Sequence, residues 1–148
     1  MQERFENFTV LITKINRLIH KIKAEEMTEF DLKSPHVSCL YYLFKAERLT
    51  ASELKDVCAE DKASISRSVE FLERNGYIEC RSDAKKRYNA ELTLTEKGKE
   101  VGRAIAKKID AVLLCTAEEI SENERKIMYK SLRVVLESLE KYCAKYKS

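Results

Sequence analysis

Glycine and proline are scarce in this sequence, three and one among 148 residues. With 44% apolar and 36% charged residues, that scarcity excludes a disordered or low-complexity chain and points to a mostly helical protein. No apolar run approaches the roughly 18 residues that a membrane-spanning helix needs. The opening residues MQERFENFTV also lack the basic start and apolar core of a secretion signal, so a cytoplasmic protein with no membrane partner is expected. Five cysteines, Cys39, Cys58, Cys80, Cys115 and Cys143, are odd in number and contain no CxxC pair, which argues against a disulfide framework or a zinc ribbon. There is no glycine-rich phosphate loop, no paired-histidine motif and no Ser, His and acid arrangement of recognisable spacing. No catalytic residues, metal or cofactor are therefore expected, and no enzyme.

What is present is a series of amphipathic stripes. Residues 2–26 place Phe5, Phe8, Ile12, Ile15, Ile19 and Ile22 at alternating spacings of three and four, widened by Leu11 and Leu18. A stripe that wide predicts burial against several helices, including those of a second subunit. After MTEFDLK, Ser34 reads as an N-cap with Pro35 at the first helical position, opening a second helix to about Glu47 that buries Val37, Leu40, Tyr41 and Phe44. Thr50-Ala51-Ser52-Glu53 is a capping box, and its short helix should bury Leu54 and Val57. Asp61 caps a fourth helix with Ile65, Val69 and Leu72 inward, and Asn75-Gly76 ends it. Tyr77 to Arg81 and Ala90 to Leu94 read as the two strands of a hairpin. A helix carrying Val101, Ile105, Ile109 and Val112 follows. A second capping box, Ser121 to Glu124, opens a last helix with Met128, Leu132, Val135, Leu139, Tyr142 and Tyr146 in register.

Two short helices separated by a tight break, then a hairpin with a basic tip, are the parts of a winged helix-turn-helix. Bulk charge does not identify it: the whole chain is +3, yet Thr50 to Gly98 holds nine Lys or Arg against ten Asp or Glu, a net −1. Placement matters more. The outer face of the fourth helix carries Ala63, Arg67, Glu70 and Arg74, flanked by Lys62, Ser64 and Ser66. Small residues permit close approach to base edges, and one arginine bidentate to guanine gives roughly 1–3 kcal/mol of discrimination. Thr50 and Ser52 sit where helix amides hold a phosphate, although capping alone also explains Thr50. Lys85, Lys86 and Arg87 at the hairpin tip suit a minor groove and its phosphates, where fixed cations release counterions, or are simply a solvated charged turn.

Over essentially its whole length the chain resembles the MarR (multiple antibiotic resistance regulator) transcription factors. The resemblance rests on the helix order and on DKASISRSVEFLERNGYIECRSDAKKR followed by LTLTEKGKEV. It implies a mostly α fold with a small β-hairpin wing. It also implies a homodimer on a pseudo-palindromic double-stranded DNA operator, with the fourth helix in the major groove and the wing in the minor groove. Residues 1–148 are then one domain, with a winged helix-turn-helix core over 34–95 and dimerisation helices over 1–30 and 97–148. The family commonly has Asp-x-Arg in the wing, whereas this tip reads Asp83-Ala84-Lys85-Lys86-Arg87, leaving Lys85 or Arg87 to take the arginine's place.

Family members respond to small aromatic effectors, to oxidants through a cysteine, or to metal. Tyr41, Tyr42 and Phe44 are the candidates for an effector pocket, and equally for a core. His36 and Cys39 face one way on the second helix, but a metal site wants three or four ligands and His20 is the only other histidine. Cys39, Cys58 and Cys115 lie in or beside apolar stripes, so packing is the better reading for them. A rival to DNA binding is a winged helix used only for protein interaction, in keeping with its net −1.

Overall fold

The computed structural model describes residues 2–81 and 87–146, the side chains of residues 2–5 and 87 excepted. The chain runs α1 (Gln2–Glu26), α2 (Ser34–Ala46), β1 (Arg48–Thr50), α3 (Ala51–Cys58), α4 (Lys62–Arg74), β2 (Ile78–Cys80), β3 (Glu91–Leu94), α5 (Glu96–Ala117) and α6 (Glu122–Cys143). Two compact units result, Met1–Lys108 and Ile109–Ser148.

In the first unit, α2, α3 and α4 pack on one another and on the sheet. Val37, Leu40, Leu43, Leu54, Ile65, Leu72, Leu92 and Ile105 are withdrawn from solvent, and burying each such side chain stabilises the fold by roughly 1.5–3 kcal/mol. The buried arc of α2 is His36, Val37, Cys39, Leu40 and Leu43, so the expected Tyr41 and Phe44 are only half-buried. Leu43 and Phe44 are adjacent and both apolar, and α3 and α4 decide between them by the side from which they pack. On α3 the inner arc is Ala51, Leu54 and the half-buried Cys58, spaced i, i+3, i+7. Val57 falls outside that arc and is 43% exposed, against the expectation that it is buried.

Helix ends follow local chemistry. Thr50 and Glu53 form the expected capping box, with the Glu53 N–H donating to Thr50 Oγ1 at 3.2 Å and the Thr50 N–H to Glu53 Oε2 at 2.7 Å. Ser121 and Glu124 repeat it at 3.3 and 2.9 Å. For α2 the expected cap is displaced by one residue: Lys33 is the N-cap, Ser34 opens the helix, and the Lys33 N–H donates to His36 Nδ1 at 3.2 Å. A histidine three residues on thus replaces the usual carboxylate of a capping box.

The sheet is antiparallel with order β1-β3-β2. β1 was not expected. It pairs Leu49 with Leu92, and β2 pairs Cys80 with Leu92 on the other side. Along β3, Leu92 and Leu94 point inward while Glu91 and Thr93 are half-exposed, the period-two alternation of a sheet with one buried face.

In the second unit α6 buries no residue. Ile127, Tyr129, Val134, Leu136, Leu139 and Tyr142 are 48–57% exposed, and Leu132 and Val135 are half-buried. On α1 of the first unit, Val10, Leu11, Ile12, Ile15, Leu18, Ile19 and Ile22 are 37–59% exposed. Among the described residues no helix is long and apolar enough to cross a membrane.

Candidate nucleic-acid interface

The turn between α3 and α4 is tight because Ala59 adopts the left-handed conformation, φ 53°. Asp61 then caps α4 as expected, accepting the Ser64 N–H at 2.7 Å. α4 buries Ile65, Ser68, Val69 and Leu72. Its outward positions Lys62, Ala63, Ser66, Arg67, Glu70 and Arg74 are exposed, and Ser64 is half-buried. From the inner side the ring of Phe71 stacks on His36 of α2, with centroids 4.0 Å apart and planes within 1°, fixing the rotation of α4 about its own axis.

Thr50 and Ser52 fare differently as phosphate candidates. The Thr50 hydroxyl accepts from the Glu53 amide and donates to the Glu53 carboxylate at 3.0 Å, and that carboxylate also holds the Thr50 amide. These bonds hold the Glu53 carboxyl below its ordinary range. They support the capping role of Thr50, and a phosphate there would have to displace the carboxylate. Ser52 is half-buried on the first turn of α3.

On the wing side, Glu91 lies 3.5 Å from both Arg48 and Arg81. These long, exposed pairs contribute little stability, but they place Arg81 beside a carboxylate. Lys62 lies 4.7 Å above the ring of Tyr88, linking the start of α4 to the chain just before β3. Between α4 and the sheet is a cavity of about 430 Å³ bordered by Lys62, Ser66, Glu70, Cys80, Tyr88 and others. Lys85 and Lys86 lie outside the described residues, as does the side chain of Arg87, whose backbone begins a short 3-10 turn, Arg87–Asn89.

A lock at the end of α4 escaped residue-level reading, although its residues stand in the TEKG segment. Thr95 Oγ1 donates to Gly76 O at 2.6 Å and accepts the Gly98 N–H at 3.0 Å. Lys97 Nζ donates to Asn75 O at 2.8 Å and sits 4.2 Å over the Tyr77 ring. A Cβ on Gly98 would collide with the Tyr77 carbonyl oxygen, so glycine is required where α5 crosses the α4–β2 turn. The signal was the Thr-x-x-Gly spacing directly after a strand.

The candidate effector residues Tyr41, Tyr42 and Phe44 are all half-buried on α2. Phe44 borders a cavity of about 630 Å³ with Leu43, Glu47, Arg81 and Lys99. Tyr41 packs edge-on against Tyr42 at 5.2 Å, with Lys45 5.7 Å over the Tyr41 ring. His36 accepts the Lys33 N–H, and Cys39 is fully buried. Among the described residues no group of three or more His, Cys, Asp or Glu could hold a metal ion. Cys39 is buried and Cys58 and Cys80 are half-buried, but Cys115 is exposed, contrary to the packing expected for it.

Comparison with known proteins adds the following. Residues 36–113 match a family described as winged helix DNA-binding domain. An uncharacterized HTH-type transcriptional regulator of Bacillus cereus is 27% identical over 123 residues, 82% of this chain and 82% of that protein. The S. aureus MepR–DNA complex is similar with a TM-score of 0.76 and 22% identity, covering 89% of this chain and 97% of MepR. A MarR family regulator from Neisseria meningitidis gives 0.80 and 21%, over 95% of this chain and 99% of its own.

Proposed function

Because this chain belongs to the winged helix DNA-binding domain family and has the MarR fold, we propose that it is a homodimeric, sequence-specific regulator of transcription. It acts by binding DNA and not by catalysis. In this reading it is a repressor that seats two copies of α4 in successive major grooves of a pseudo-palindromic operator. A small aromatic effector would release it.

The observation that carries the reading is the division of α4: Ile65, Val69 and Leu72 are held inward while Ser66, Arg67, Glu70 and Arg74 stand exposed. Arg67 would read a guanine, and Lys62, Ser64 and Arg74 would set the helix on the backbone. Ser52 and the wing residues Lys85, Lys86 and Arg87 would add phosphate contacts that carry no sequence information. The exposed stripes on α1 and α6 supply apolar surface for the second subunit.

The test is a gel-shift titration with duplexes selected from a random-sequence pool, repeated over a range of salt. A selective complex that weakens steeply with salt is expected, and Arg67→Ala should abolish the selectivity, whereas Lys86→Ala should weaken all duplexes alike. Equal, feeble affinity for every duplex would instead support a protein-interaction module. Selectivity retained by a folded, dimeric Arg67→Ala protein would remove α4 from the reading head.

A further inference from the structure

Helix α4 ends in a Schellman motif: the Tyr77 N–H donates to Leu72 O at 2.9 Å and the Gly76 N–H to Glu73 O at 3.0 Å, with Gly76 at φ 74°. The motif satisfies carbonyls of the last turn but leaves those of Asn75, Gly76 and Tyr77 to find donors outside the helix. All three find them at the entry of α5. Lys97 Nζ donates to Asn75 O at 2.8 Å, the Thr95 hydroxyl to Gly76 O at 2.6 Å, and the Thr95 N–H to Tyr77 O at 3.1 Å.

Two features show that this joint is tight. The Thr95 hydroxyl also accepts the Gly98 N–H at 3.0 Å, so one side chain caps the first turn of α5 and holds the exit of α4. Lys97 is exposed, yet its ammonium folds back onto Asn75 O and stands 4.2 Å over the Tyr77 ring. Beneath them, α5 is seated at two buried glycines one turn apart. A Cβ on Gly98 would collide with the Tyr77 carbonyl oxygen, and one on Gly102 would meet the Phe44 Cβ of α2 at 3.0 Å. The α5 backbone therefore rests directly on the α4–β2 turn and on α2, and any tilt of α5 against α4 works on the bonds made by Thr95 and Lys97.

We propose that Thr95 and Lys97 are positioning residues that set which half-site spacing the dimer accepts. The proposal rests on the DNA-binding reading and deepens it. Two copies of α4 enter successive major grooves only if their separation matches a helical turn of roughly 34–36 Å. In the proposed dimer α5 belongs to the helices that join the copies, so the angle fixed between α4 and α5 enters that separation twice, once for each copy. The contacts of one α4 with its own half-site do not depend on it.

The test uses the full chain and a duplex selected from a random-sequence pool. Beside it stand duplexes with one base pair added or removed between the half-sites, and one with a single half-site scrambled. The unsubstituted chain should bind either altered spacing at least about tenfold more weakly, because simultaneous engagement is lost. Lys97→Met, and more strongly Thr95→Val/Lys97→Met, should narrow that discrimination to about threefold, with affinity for the scrambled duplex within about twofold and the salt slope unchanged. Thr95→Ser/Lys97→Arg should restore the discrimination. A variant that keeps the full discrimination overturns the proposal, as does one that loses as much on the scrambled duplex as on the intact one. A salt slope lowered by about one in Lys97→Met would make Lys97 a phosphate contact and also overturn it. If the double variant does not fold, exposed Lys97→Met alone decides.

The joint is also read without DNA. Amide hydrogen exchange at Thr95 and Gly98 should quicken several-fold in Lys97→Met, with the amides of Ile65 and Leu72 unaffected. Unchanged exchange at Thr95 and Gly98 overturns the joint. An unsubstituted chain that selects no duplex removes the DNA-binding reading and the spacing role with it, whereas faster exchange would still identify the joint.

Discussion

Helices α4 and α1 carry equally clear apolar stripes and do opposite things with them. On α4, Ile65, Val69 and Leu72 are 0, 6 and 0% exposed, whereas on α1, Ile12, Ile15, Leu18 and Ile19 are 40–52% exposed. The first stripe is covered by α2 and its neighbours within the same unit. The second stands exposed, the apolar surface that the proposed second subunit would cover. Periodicity therefore identifies a face but not its cover, and the two regions should respond differently to the same kind of damage.

The largest effect should come from the module core. Leu72→Ala removes a fully buried side chain and should destabilise the protein by about 2–5 kcal/mol, as a shift in urea midpoint that is the same at every protein concentration. If that shift were concentration-dependent, the module would not be held by its own core. Next comes Leu18→Glu on α1, which in the proposed dimer buries an unpaired carboxylate. Sedimentation should show at least a hundredfold weaker association, about 2.7 kcal/mol, with helical content retained. An unchanged dimer would mean that the α1 stripe faces something other than a second copy.

The same contrast explains what was legible in the sequence. The six helices, both capping boxes, the Asp61 cap and the Asn75-Gly76 stop rest on local chemistry within three or four residues, so the sequence states them directly. β1 could not be read: Arg48, Leu49 and Thr50 are too few to show a period, and only pairing with Glu91, Leu92 and Thr93 makes them a strand. Val57 was misplaced because eight residues of α3 fit more than one inward arc. Cys39 and Cys58 read as packing residues from the apolar stripes beside them, and they are buried and half-buried. The exposed face of α4 followed from its stripe, while the roles of its residues, and of a wing tip outside the described residues, depend on a nucleic acid that periodicity cannot represent.

Smaller effects extend the comparison to α3, which has a buried face, and α6, which buries no residue, because the same capping box opens both. Thr50→Ala and Ser121→Ala each remove a hydroxyl that accepts an N3 amide, a loss of about 1 kcal/mol. Thr50→Ala should lower the melting temperature by about 3 °C at any concentration, and Thr50→Ser should restore it. The Ser121→Ala shift should shrink as the protein is diluted, because α6 buries nothing within one chain. Equal behaviour of the two variants on dilution would show that α6 is stable without assembly.

The smallest effect is a pH dependence confined to the module. To accept the Lys33 N–H, His36 Nδ1 must be unprotonated, and the ring is buried against Phe71. Burial first, and the Lys33 charge second, hold its pKa below the ordinary 6.5. As pH falls below 6.5 the unfolded chain takes up a proton that the folded chain still refuses, so the unfolded state binds more protons and stability rises with pH across that window. The contribution is complete above 6.5, is lost as pH drops towards the folded value, and then levels off. The Glu53 and Glu124 carboxyls titrate lower, below their ordinary 4.5, and leave the window clear. The urea midpoint should thus fall between about pH 7 and pH 5. His36→Gln keeps an acceptor three residues from the cap but cannot titrate, so it should flatten the profile. A His36→Gln protein that loses stability over that interval as the unsubstituted chain does would place the proton uptake elsewhere and reduce His36 to a packing residue.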